Sequence, residues 1–200
     1  GERSVCSMRS VSKKRCRSIA LLLAAVFLSA AGLFSCADTK TKSGADARFP
    51  LQPDSIVIGS GGREITVTAE DKAYEEIVAR VQKLVEKSTA EYAFDTYKMS
   101  AYDAATQQPL AQLVRQRETF VEYWYQTETE QLLPAGKKGG AGEGERILVR
   151  MVQFPLTGEY HRMFFVGYGE DELSYLPPFG DVTDDLSLIR YVQDLVAKAQ

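Results

Sequence analysis

The 200-residue chain contains no asparagine, one histidine, one tryptophan and three cysteines. The absence of asparagine has no evident physical reason; the other scarcities each exclude a chemistry. His161 is the sole histidine, so any Ser-His-Asp mechanism would have to use it. It alternates with Met163 and Phe165 on a predicted strand, no Gly-x-Ser-x-Gly elbow is present, and a structural or surface role is the better reading. Cys6, Cys16 and Cys36 all lie in the first 36 residues. The remainder therefore has no thiol, no disulfide and no cysteine ligand, and one histidine alone argues against tetrahedral zinc. A domain of roughly 145 residues can bury enough apolar surface without such staples. No cofactor is expected.

Basic charge is also short. Residues 1–35 hold six bases and one acid, leaving 18 bases against 26 acids in residues 36–200, a net charge of −8 there. An acidic domain argues against nucleic acid and gains no attraction toward anionic lipid. Phosphate loops are missing too. Gly59-Ser60-Gly61-Gly62 is followed by a strand pattern rather than a helix, and Lys137-Lys138 precede Gly139-Gly140 in the reverse of the Walker order. Acids cluster around Asp171, Glu172, Asp181, Asp184 and Asp185 without EF-hand spacing, so no metal site is assigned.

What is present begins with Lys13-Lys14-Arg15-Cys16-Arg17, an apolar run of 16 residues from 19 to 34, and then Ser35-Cys36. A basic segment, an apolar core and small residues make up an export signal. The run is shorter than the roughly 20 residues of a spanning helix. Met8 can serve as its start, which makes Arg9 to Arg17 a compact basic region. The quartet Leu33-Phe34-Ser35-Cys36 resembles the lipobox of bacterial lipoproteins, in the relaxed form of spirochaetes because Phe34 is bulky. The alternatives are an uncleaved anchor, or ordinary signal cleavage near Ser29-Ala30-Ala31. The resemblance implies a signal over residues 1–35, lipidation of Cys36, and a cell-envelope address in which the protein meets its membrane through that lipid, on the periplasmic or surface side.

Residues 36–53, rich in Asp, Lys, Thr, Ser, Gly and Ala, read as a tether, and 54–200 as one globular domain. Ile56-Val57-Ile58 and Glu64-Ile65-Thr66-Val67 around the glycine-rich turn predict a hairpin. Thr68-Ala69-Glu70-Asp71 has the form of a capping box, and Tyr74, Ile77, Val78, Val81, Leu84 and Val85 predict a helix over 69–87. Residues 92–102 offer a strand, 110–117 are ambiguous between helix and strand, and 119–129 are the clearest strand. Two more strands over 146–154 and 160–168 complete an antiparallel meander. A last helix is expected, capped by Thr183 or Asp184. The fold class is α+β: an N-terminal hairpin, a long amphipathic helix on the meander, and a closing C-terminal helix. In element order this is similar to cystatin or NTF2-type folds.

On the 119–129 strand, Phe120, Glu122, Trp124 and Gln126 share one face, with Val121, Tyr123 and Tyr125 on the other. Tyr123, Trp124 and Tyr125 are the candidate binding residues, because rings left at a groove are favoured anchors; the alternative is that both faces are covered and the rings are core. No catalytic residue is assigned. The expected function is a non-catalytic tethered domain that binds a protein partner or an apolar or sugar-like ligand. The rival is an exported hydrolase of envelope glycan built from a buried close pair among Glu122, Glu128, Asp171 and Asp181. A third reading is a purely structural surface protein without a small-molecule site.

Overall fold

The structure is a computed structural model in which residues 49–92, 94–134 and 144–199 are described. The lipobox and Cys36 lie outside the described residues, as does most of the 134–144 loop. Two strands open the fold, β1 (Ser55–Ser60) and β2 (Arg63–Thr68), in register from Ser55 opposite Thr68 to Ser60 opposite Arg63. The turn between them is Gly61-Gly62 alone, with φ of +58° and +77°. That conformation suits glycine and gives a two-residue hairpin turn whose twist matches the strands.

Helix α1 (Tyr74–Glu91) follows, then β3 (Asp95–Thr96), α2 (Leu110–Arg117), β4 (Phe120–Leu132), β5 (Arg146–Pro155), β6 (Met163–Tyr168), β7 (Ser174–Tyr175), β8 (Phe179–Gly180) and α3 (Leu186–Lys198). Among the described residues the eight strands form one antiparallel sheet in the order β2-β1-β4-β5-β6-β8-β3, with β7 paired to β6. The α+β class is therefore as expected, with more sheet than the sequence suggested.

The sheet is covered on both faces. On one, α1 contributes Ile77, Val81 and Leu84 and α3 contributes Leu188, Val192 and Val196 to a core that includes Val121, Tyr123 and Tyr125 of β4. Its centre is aromatic: the Phe164 ring lies 5.0 Å from Phe94, 5.1 Å from Phe179, 5.5 Å from Phe49 and 5.6 Å from Phe154. On the other face, the shorter α2 lays Leu110, Ala111 and Val114 over Phe120, Met151 and Phe165. The alternation of β4 from Phe120 to Tyr125 allows this, since successive side chains point to opposite faces.

Four local expectations change. The Thr68–Asp71 motif does not cap a helix. Asp71 Oδ2 accepts from Thr68 N (2.7 Å) and Thr68 Oγ1 (3.1 Å), closing a turn, and α1 starts at Tyr74 after Ala73 without a side-chain cap. Residues 92–102 are mostly loop, because their rings serve packing: Phe94 enters the aromatic core, while Tyr97 donates to Asp181 Oδ1 at 2.6 Å. His161 lies in the turn before β6, its Nδ1 2.8 Å from Gly158 O and its Nε2 3.4 Å from Asp184 Oδ1. Finally, Asp185 rather than Thr183 or Asp184 caps α3, accepting from Ser187 N (2.9 Å) and Leu188 N (3.0 Å).

The domain also begins earlier than residue 54. Phe49 is 3% exposed against the aromatic core, and Leu51 N donates to Gln131 Oε1 at 3.1 Å while Leu51 O accepts from Tyr125 Oη at 2.8 Å.

Candidate functional site

The face under α2 is not completely filled. Between the C-terminal turn of α2, β4 and the β7 segment lies a cleft of about 190 Å³, with Glu122 and Met151 at its floor and Gln112, Arg115, Trp124 and Tyr175 around it. Each side chain is there for a local reason. Arg115 follows Ala111 by four residues, which puts it on the buried stripe of α2. Glu122 and Trp124 are two apart on β4 and so share the α2 face.

Glu122 is completely buried, and both of its oxygens are occupied. Oε1 accepts from Arg115 Nη2 and Trp124 Nε1, and Oε2 from Arg115 Nε (2.9 Å) and Gln153 Nε2 (2.9 Å). Gln153, itself buried, also donates to Ala111 O at 3.1 Å, tying the carboxylate to α2. The forked Arg–carboxylate contact is the strong, geometrically exact form of such a pair. Hydrogen bonding to Glu122 raises the Arg115 guanidinium above its ordinary range, against the opposing effect of burial. Burial, with Glu122's charge adding to it, raises the Tyr175 phenol.

Trp124 is thereby pinned by its own indole N–H, and the Arg115 guanidinium carbon sits 5.8 Å from its ring centre. The ring is half-buried and also walls a second cleft of about 250 Å³, shared with Asp54, Ser55, Gln126 and Arg150.

Of the three candidate binding residues, Trp124 lines both clefts, Tyr125 lines the second, and Tyr123 lines neither. Tyr123 is 0% exposed and Tyr125 4% exposed; desolvation raises both phenols, Tyr123 well above the usual value. Both rings pack into the core with Val121, on the face of β4 that meets α1 and α3. Arg115 and Gln153 were not foreseen. Reading 110–117 as a helix would have found Arg115, because it falls on the apolar stripe.

The carboxylates proposed for hydrolysis are separately engaged. Glu122 is held as described, Glu128 accepts from Gly169 N, Asp181 takes Tyr97 Oη and lies 3.4 Å from Arg162, and Asp171 is exposed. The other acid reaching the Glu122 network does so through Arg115, whose Nη1 is 3.7 Å from Glu64 Oε2. Four donors on the one carboxylate fix Glu122 between α2 and β4.

Among the described residues no cluster of three or more metal-ligating side chains occurs, and no helix is long and apolar enough to cross a membrane. No protein-family model matches the chain, and no curated protein or solved structure matches it.

Proposed function

We propose that this chain is a non-catalytic cell-envelope lipoprotein, tethered through lipid on Cys36, whose domain binds a protein partner or an apolar or sugar-like ligand at the Trp124 clefts. The observation that carries the binding half is the fixed indole: the chain's only tryptophan is locked by a buried carboxylate yet left partly exposed between two concavities. Rigid aromatic anchors of this kind contribute binding energy at little conformational cost.

Trp124→Ala is expected to lower capture of a bound partner by about tenfold or more, the scale of a modest hot spot, with far-ultraviolet circular dichroism unchanged. Trp124→Phe, which keeps a ring but loses the N–H donor, should fall between. Unchanged capture by both variants, or global unfolding of both, would assign Trp124 to the fold alone.

The tether half rests on the lipobox-like quartet before Cys36. Cys36→Ser should abolish metabolic labelling with palmitate and leave an unlipidated precursor. Persistent labelling would refute the assignment.

A further inference from the structure

Charge in the two clefts is matched, and their hydrogen-bonding capacity is not. In the first, the Arg115 guanidinium is neutralised by Glu122, with Glu64 beyond it. In the second, one carboxylate, Asp54, accompanies one guanidinium, Arg150. Donors nevertheless remain unused. Arg115 Nη1 has Glu64 only at 3.7 Å, outside hydrogen-bond reach, and Arg150 Nη1 is buried with no acceptor. Gln153 Oε1, buried beside Glu122, lacks a donor.

These features select among ligand classes. An anion would meet Glu122, Glu64 and Asp54 along with the two guanidiniums and would gain no net attraction. An aliphatic chain would leave the unused N–H groups buried without acceptors, which is costly. A ligand with an apolar ring face, several hydroxyl groups and no charge suits the indole and offers oxygens to the Arg115 and Arg150 side chains that wall the two clefts. Each cleft is also smaller than the roughly 300–1,000 Å³ of a pocket for a drug-sized molecule. Two adjoining single-ring spaces fit a chain of rings better than one large ligand.

We infer that the clefts on either side of Trp124 are adjoining subsites for consecutive rings of a neutral oligosaccharide, with the indole as shared platform and Arg115 and Arg150 as donors to ring or hydroxyl oxygens. This rests on the binding reading given above and narrows it to one ligand class.

Because Trp124 is the only tryptophan, its emission reports on this site without labelling. The full chain, in a zwitterionic detergent that carries no sugar, is titrated with glucose and N-acetylglucosamine oligomers of one to four rings and with uronic acid oligomers of the same lengths. The expected result is a saturable change with a neutral series, tightening by about tenfold from one ring to two and little thereafter, with the uronates no tighter. By calorimetry, Arg150→Ala should remove the gain from the second ring. Tighter uronate binding, or equal affinity for one ring and two, overturns the proposal. Flat titrations with both neutral series also overturn it. If the titrations are flat but Trp124→Ala still abolishes partner capture, the sugar class alone is wrong. If capture is also insensitive to Trp124, the binding reading falls with it.

Discussion

Phe164→Ala will cost the domain about 4 kcal/mol, within the 3–5 kcal/mol typical of removing a buried phenylalanine. The ring is fully buried and touches four other phenylalanines contributed by distant parts of the chain: the residues before β1, the loop after α1, β5 and β8. Those rings come from separate backbones, each fixed by its own hydrogen bonds, so they cannot all move inward to close the space. For a domain of this size the loss corresponds to a fall in melting temperature of about 8–16 °C. Leu186→Ala, at a residue 67% exposed, is the matched control and should change stability by less than about 0.5 kcal/mol. Thermal or urea denaturation followed by circular dichroism checks both. Equal effects at the two positions would mean that the aromatic cluster is not the centre of the fold.

Arg115→Ala is expected to cost about 3 kcal/mol, the lower end of the range for breaking a buried ion pair, because Trp124 and Gln153 would still donate to the stranded Glu122. Arg115→Lys keeps the positive charge but not the forked geometry, so it should restore only part of the loss. The sharper comparison is Arg115→Met combined with Glu122→Leu. Removing both charges relieves the buried carboxylate, so the double variant should be more stable than Arg115→Ala alone despite carrying more changes. A double-mutant cycle on alanine variants measures the same coupling. Additive losses would show that the two side chains do not depend on each other.

The contrast between these two sites explains how much of the protein could be read from its residues. The hairpin, α1, the alternation of β4 and the final helix follow from local periodicity, and the face assignment on β4 holds from Phe120 to Tyr125. The fourfold recurrence of Arg115 after Ala111 was present but hidden, because eight residues following a proline give too few turns to establish a helical pattern. Other parts had no local signal at all. The seating of Phe49 depends on contacts with Phe94 and Phe164, far along the chain, and nothing near residue 49 marks it as core. Tyr123 and Trp124 are adjacent and chemically similar, yet one is enclosed and the other half-exposed. That difference depends on how long each covering helix is: α1 with α3 spans its face of the sheet, whereas α2, with eight residues, leaves a gap.

The position of Phe49 matters mechanically if the chain is held at Cys36 as proposed. Twelve residues lie between it and Cys36, so a membrane attachment at that cysteine would keep the first core residue within about 45 Å of the bilayer. A pull arriving along that leash would bear first on a ring wedged between Phe94 and Phe164, then on the Leu51 bonds to Gln131 and Tyr125, before reaching β1. On the proposed attachment, force would thus meet side-chain packing at Phe49 and Leu51 before it met the strand pairing of β1.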